Sequence, residues 1–244
     1  MRDDHHPGER ATKDARITNR ILLGLPGDEY HALCSHLEFL DLPHHYILHE
    51  PAERLLFAYF LNCGLASIVV TTRSGRDVEA GVVGCEGFVG APVLAGLRRS
   101  PLREQMQIAG NGFRVSARTL QAMVEKFPTL KLKLTRYAIL LGLQVAQTAA
   151  CNRLHTAQQR LARWLLLARD RLETPTVPIT HEFLATMLGT DRPSVTIAAA
   201  ELQRKKAIGY QRGVLKILNR RRLETLACEC YQVIRRFDGA LGLK

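Results

Sequence analysis

Nothing near the start of this sequence has the apolar core of a secretory signal: the first ten residues, MRDDHHPGER, are polar and charged. The apolar run Tyr137–Val145 is far shorter than the roughly 20 residues a membrane helix needs. There is no Walker loop, dinucleotide fingerprint, nucleophile elbow or His-Glu-x-x-His motif, so an enzyme reading has no supporting constellation. Cys-x-x-Cys is missing too. The six cysteines are Cys34, Cys63, Cys85, Cys151, Cys228 and Cys230, and only the last two are close, as Cys-x-Cys. In a chain of 244 residues without a signal, a disulfide framework is not expected. The protein reads as cytoplasmic with reduced thiols, with no membrane partner.

What is present is a core-forming composition with a lopsided charge. Hydrophobic residues make up 46% and charged residues 23%, an ordinary globular share. Residues 1–150 carry 17 Lys and Arg against 15 Asp and Glu, a net +2, whereas 151–244 carry 17 against 8, a net +9. A positive excess concentrated in the last two-fifths points to a polyanion, nucleic acid before an anionic membrane.

The texture changes along the chain. Residues 1–16 read as a mobile tail, and 17–40 as short helices around Pro26-Gly27. From about 41 to 116, β-favouring runs (Tyr46–Leu48, Leu56–Leu61, Ala66–Thr72, Val78–Val83, Gln105–Ile108, Gly112–Ser116) alternate with turn signals. Those signals are Asn62-Cys63-Gly64, Ser74-Gly75-Arg76 and Asn111-Gly112. No helical pattern separates the runs, so a small antiparallel barrel or sandwich is expected. After Pro128 a heptad seam appears at Leu130, Leu134, Tyr137, Leu141, Gln144, Thr148 and Cys151. It fits a dimer interface; a purely internal core helix is the other reading. Leu132, Ile139, Leu140, Leu143 and Val145 are also apolar, so this helix is expected to bury more than one face. A helix over 153–171 follows, broken by Pro175 and Pro178.

Beyond Pro178 the order of signals is specific. Thr180 can cap a helix whose apolar face is Phe183, Leu184, Met187 and Leu188. Gly189 supplies a turn. Asp191 caps a second helix with Pro193 in its first turn and Val195, Ala198, Ala199 and Leu202 as its core face. Its other face offers Arg192, Ser194, Thr196 and Gln203, groups suited to phosphates and base edges. Arg192, in the first turn, can take a guanine bidentately or hold a phosphate. Arg204-Lys205-Lys206 and a hairpin turning at Arg212-Gly213 complete a winged helix-turn-helix.

With these residues in place, the chain resembles the Crp–Fnr superfamily over roughly 17–220. The resemblance implies an α+β protein: an antiparallel, cyclic-nucleotide-binding-like β-roll (17–127), a long dimerisation helix (128–152), a winged helix-turn-helix (153–219) and a helical extension (220–244). It implies double-stranded DNA, a second copy of the chain and RNA polymerase as partners, with the effector unknown. The residues expected at the duplex are Thr180, Arg192, Ser194, Thr196, Ile197, Gln203, Arg204, Lys205 and Arg212. Arg192 matches a base-contacting arginine of the family, while Ile197 stands where its cyclic-AMP receptor has arginine, so the operator should differ. The family's phosphate cassette, Gly-Glu and then Arg-Ser, is read here at Gly90, Ala91, Arg103 and Glu104 as a degenerate pocket. Ala91 lacks the carboxylate for a ribose hydroxyl and Glu104 would repel a phosphate, so response to cyclic AMP is not expected. The alternative is a small-molecule sensor whose DNA-binding half is vestigial.

Three weaker features remain. His44, His45 and His49 read as surface residues rather than metal ligands. Cys228 and Cys230, placed on a helix, would point apart and could not share a metal, so no metal or cofactor is expected. A redox thiol at Cys228 or Cys230 would need a depressed pKa, and Cys85, which lies in the degenerate loop, could be a sensing thiol.

Overall fold

The computed structural model describes residues 16–240, with side chains described to Phe237. The expected tail over 1–16 lies outside these residues apart from Arg16, as does the extension beyond 240. Two short helices, α1 (Arg20–Leu23) and α2 (Gly27–Cys34), lead into the first sheet. Asn19 caps α1 by accepting from the backbone N–H groups of Ile21 and Leu22, and its amide donates to the Leu61 and Gly87 carbonyls. The helical reading of 17–40 fails at its end: Glu38–Leu42 is strand β1, because its backbone is taken up by pairing with residues 110–114.

The sheet continues with β2 (Ile47–His49), β3 (Phe57–Thr71), β4 (Asp77–Val83), β5 (Phe88–Val89) and β6 (Arg103–Ser116), all antiparallel, in the order β1-β6-β3-β4 with β2 on β6 and β5 on β3. Two expected turns are absent. Asn62-Cys63-Gly64 and Asn111-Gly112 sit inside continuous strands, where register slips between Leu61 and Ala66 bend the β3–β6 ribbon. Gly64 takes φ +85°, and a Cβ on Gly110 would sit 2.1 Å from the Cys63 carbonyl oxygen. The glycines serve close approach of two backbones, not a chain reversal. Ser74-Gly75-Arg76 is a true turn between β3 and β4.

Helix α3 (Ala117–Lys126) and the 27-residue α4 (Pro128–Leu154) follow. The roll closes over Phe60, Phe88, Met106, Leu130, Leu134 and Tyr137. This overturns the sequence reading of the seam: Leu130, Leu134, Tyr137, Leu141, Gln144 and Thr148 are all buried within their own chain. Tyr137 packs on Phe88 at 5.6 Å between ring centroids, and Gln144 donates to the Val82 carbonyl. The exposed apolar residues of α4 are Leu132, Ile139, Leu143 and Leu154, with Gly142, Ala146, Ala149 and Ala150 on the same side. The helix thus has two apolar stripes, and the heptad seam is the one its own chain covers.

Helix α5 (Ala157–Leu172) starts at a capping box of Thr156 and Gln159. It forms the floor of a second core shared with β7 (Thr176–Pro178), α6 (His181–Leu188), α7 (Arg192–Arg204), β8 (Ile208–Gln211) and β9 (Val214–Ile217). The chain then continues through α8 (Arg220–Leu226) and α9 (Cys230–Ala240). Arg220 donates to Asp170, Glu224 and the Tyr231 hydroxyl, fastening this extension to α5.

The two cores touch. Gly189 abuts Val78 of β4, and Met187 of α6 accepts from Gln107 of β6. At the junction Glu79 is buried; Ser67 donates to one of its oxygens and Trp164 Nε1 to the other at 2.7 Å. Burial first of all pushes this carboxyl up to about 7, against the pull of Ser67, Trp164, Arg163 and Arg171. Arg171 of α5 donates to Glu86 at 2.9 Å and to Gln144 at 2.6 Å, tying α5 to the roll and to α4.

Candidate nucleic-acid interface

The two helices α6 and α7 follow the capping signals closely. Thr180 Oγ1 accepts from the Phe183 N–H, and Asp191 Oδ1 accepts from the Ser194 N–H at 2.7 Å. Gly189 ends α6 in the left-handed region at φ +57°, where a side chain is strained. Pro193 occupies the first turn of α7, where no N–H is needed. Val195, Ala198, Ala199 and Leu202 are buried against α5 and α6, which turns the opposite face outward.

That outward face carries Arg192, Thr196, Ile197, Ala200, Gln203 and Arg204. Arg192 faces Glu182 at 3.9 Å with both side chains about 70% exposed, a contact too weak to hold the guanidinium against a nucleic-acid partner. Ile197 is 67% exposed, unusual for an aliphatic side chain in the middle of a helix. Gln203 is exposed, and Arg204 pairs with Glu201 one turn back. Arg212 stands at the hairpin tip at φ +48°, next to Gly213 at φ +77°.

Several predicted residues have other duties. Thr180 spends its acceptor on the cap. Ser194 is half-buried, and Lys205 is the C-cap of α7. The Thr196 hydroxyl donates to the Arg192 carbonyl at 3.0 Å and accepts from His181 Nδ1 at 3.1 Å. His181, which sequence reasoning missed, also stacks on Tyr210 of β8 at 4.3 Å. Burial, and then the Arg192 charge, push its imidazole below the ordinary value, so it is neutral at pH 7. No local pattern connects positions 181, 196 and 210; only the packing of α6, α7 and the wing does. Among the extension's cations, Arg222 donates to the Lys205 carbonyl and so buttresses the end of α7.

A family model, the Crp-like helix-turn-helix domain, matches residues 159–226. Over this segment the chain is similar to the Crp-like helix-turn-helix domain. Among solved structures, FixK2 from Bradyrhizobium japonicum superposes with a TM-score of 0.66 at 16% identity, covering 79% of this chain and 98% of that one. A Crp-family transcriptional regulator from Thermus thermophilus gives 0.64 at 22%, covering 77% and 96%. The c-di-GMP responsive regulator CLP from Xanthomonas campestris gives 0.62 at 16%, covering 79% and 99%. These likenesses establish a shared fold, an antiparallel β-roll and a Crp-like domain joined by a long helix. No curated protein sequence matches the chain.

Outside the Crp-like domain, the expected ligand pocket is not assembled as read. Arg103 and Glu104 are neighbours on β6, so their side chains leave opposite faces. Arg103 turns outward to Glu50 at 3.1 Å and Asp77 at 3.5 Å. Glu104 turns inward and is buried against His49, whose Nε2 lies 2.9 Å from the Phe57 carbonyl oxygen. His49 is therefore an internal partner and not a surface residue. Gly90, at φ +101°, closes against Ala58 and Phe57, and Ala91 opens the 3₁₀ turn Ala91–Ala95. An Arg-Ser pair does occur, at Arg99-Ser100, upstream of the pair expected from sequence; the Arg99 backbone forms an isolated antiparallel β-bridge with that of Arg54, and Ser100 is buried. Cys85 is buried, and its thiol is pushed up to about 11 by burial and then by Glu86, which opposes a reactive thiolate.

Proposed function

We propose that this protein is a homodimeric, sequence-specific regulator of transcription that reads double-stranded DNA with α7 in the major groove. The carrying observation is the exposed face of α7 itself: a guanidinium in the first turn, an exposed aliphatic side chain one turn on, and an amide beyond it, on a domain with net positive charge. Arg192 is suited to guanine O6 and N7, Ile197 to a thymine methyl, and Gln203 to a base edge or phosphate. Arg204, Lys205 and Arg212 supply backbone contacts from the helix end and the wing. Thr180, Ser194 and Thr196 support the geometry from within.

The second copy is taken up by the outward stripe of α4. Leu132, Ile139 and Ala146 are spaced by seven, as are Leu143 and Ala150, and small residues between them allow close helix approach. Two such chains present two reading helices to half-sites about one helical turn apart, roughly 34 Å. The roll is not a cyclic-AMP site in this reading, because the arginine expected to answer a phosphate is turned outward and an inward carboxylate stands beside it.

Selection of bound sequences from a random duplex pool tests this. The wild type should enrich a two-fold symmetric site, with affinity falling steeply with salt as counterions are released. Arg192→Ala should lose about 1–3 kcal/mol of discrimination at one position per half-site. Failure to bind DNA at low ionic strength overturns the function; an unchanged site in the variant overturns the role of Arg192.

A further inference from the structure

We propose a zinc site, of three thiolates and one imidazole, where the end of α4 meets the turn between α8 and α9. Cys151 and His155 lie four residues apart on one side of the end of α4, while Cys228 comes from the α8–α9 turn and Cys230 is the first residue of α9. Their four ligand atoms all lie within 4.8 Å of one another. Cys151 Sγ is 3.5 Å from Cys228 Sγ, and Cys230 Sγ is 3.6 Å from His155 Nδ1. A tetrahedral zinc ion with bonds of about 2.3 Å to sulfur and 2.0–2.1 Å to nitrogen sets neighbouring ligand atoms about 3.6–3.8 Å apart. The sequence objection to a shared metal disappears because Cys228 precedes α9. With Cys228 off the helix and Cys230 at its first position, both thiols turn to one point.

The surroundings point the same way. His155 offers Nδ1 to the thiols, and its Nε2 lies 3.2 Å from the Glu229 carboxylate, the outer partner that fixes the tautomer of a metal-bound imidazole. Gln147 donates to Cys230 Sγ at 3.1 Å, an outer hydrogen bond of the kind that orients a metal-bound sulfur. All three cysteines are buried, yet two buried arginines stand on the neighbouring helix. Arg160 and Arg163 form no ion pair among the described residues, and the Nε of each lacks a hydrogen-bond partner. Both interact electrostatically with Cys151, and Arg163 also feels Glu79. Zinc with three thiolates carries a net charge of −1, a counter-charge for cations that otherwise have little. Soft thiolate donors disfavour magnesium and calcium, and a cage this small suits one ion better than an iron–sulfur cluster. The ion would clip the carboxy-terminal extension to the joint between α4 and α5, just ahead of the Crp-like domain.

The test uses the full-length protein, purified under reducing conditions, stripped with a chelator and titrated with Co2+ as an optical probe. One cobalt per chain is expected, with the intense visible bands of a tetrahedral thiolate site, displaced by one equivalent of Zn2+. C228S/C230S should abolish those bands. Should that variant not fold, Glu229→Gln serves instead, since this side chain is exposed. It should keep the spectrum and weaken metal affinity on the order of 10-fold or more. Substoichiometric binding, an octahedral spectrum, or a Cys151–Cys228 disulfide in protein purified without metal would overturn the site. Wild-type affinity and an unchanged spectrum in His155→Ala would remove His155 from the ligand set.

Discussion

Replacing Glu79 by Gln isolates one buried carboxyl at the junction between the roll and the Crp-like domain. In the folded chain this group titrates at about 7 against an ordinary 4.5, with burial as the leading cause. A carboxyl whose folded value lies above its unfolded value takes up a proton on folding. Its cost to stability is therefore absent below about 4.5, grows as pH rises, and is fully present above about 7. At about 1.4 kcal/mol per pH unit, the difference amounts to roughly 3 kcal/mol. Glutamine keeps the shape and both bonds: its oxygen accepts from Trp164 Nε1, and its amide donates to Ser67 Oγ. E79Q should thus match wild type at acid pH, exceed it by about 3 kcal/mol above neutrality, and remove this part of the pH slope. Urea unfolding followed by Trp164 fluorescence from about pH 5 to about pH 8 measures it. Parallel slopes for wild type and E79Q would refute the reasoning.

Two further substitutions probe the helices around that junction. Ile139→Glu, on the outward stripe of α4, should convert dimer to monomer in sedimentation velocity. Burial worth about 1.5–3 kcal/mol per chain is lost, and two-fold symmetry doubles it. A dimer that survives would move the interface elsewhere. Arg171→Met strands Glu86 without its cation in a buried site and should cost about 3–5 kcal/mol in urea unfolding. R171M/E86Q should recover part of that loss, and a double variant no better than the single would deny the pairing.

The legible parts of the sequence are those where one residue type has one physical use. Thr180, Gly189, Asp191 and the Arg212-Gly213 turn each stand where the cap or turn is expected, because oxygen caps and left-handed glycines have few alternatives. The antiparallel class of the roll is legible from its strand-forming runs, although β1 reads as helix and β5 gives no run. What fails is ambiguous in one dimension. Glycine and asparagine mark bulges as readily as turns, so a reading by turn signals cuts two strands in half. An apolar helix with two stripes does not say which stripe its own chain covers, and the burial of Leu134 and Tyr137 answers against the heptad seam. Arg103 and Glu104 group by adjacency although neighbours on a strand face opposite ways. The ligand set Cys151, His155, Cys228 and Cys230 joins two segments far apart in the chain, and no local pattern links its halves.

The polar groups at the junction oppose sliding of the Crp-like domain over the roll. Apolar contact between Gly189 and Val78 is non-directional and would tolerate sliding. Trp164 to Glu79, and Arg171 to Glu86 and Gln144, are directional bonds made by a single helix, α5, to the roll and to α4. Sliding α5 by one turn would leave a buried carboxylate and a buried guanidinium unpaired together, each costing more than the apolar contact returns. The same helix holds Arg220 through Asp170, and Arg222 reaches the end of α7. The reading face is thereby fixed relative to α4, and in the proposed dimer the distance between two such faces follows from bonds made far from the duplex.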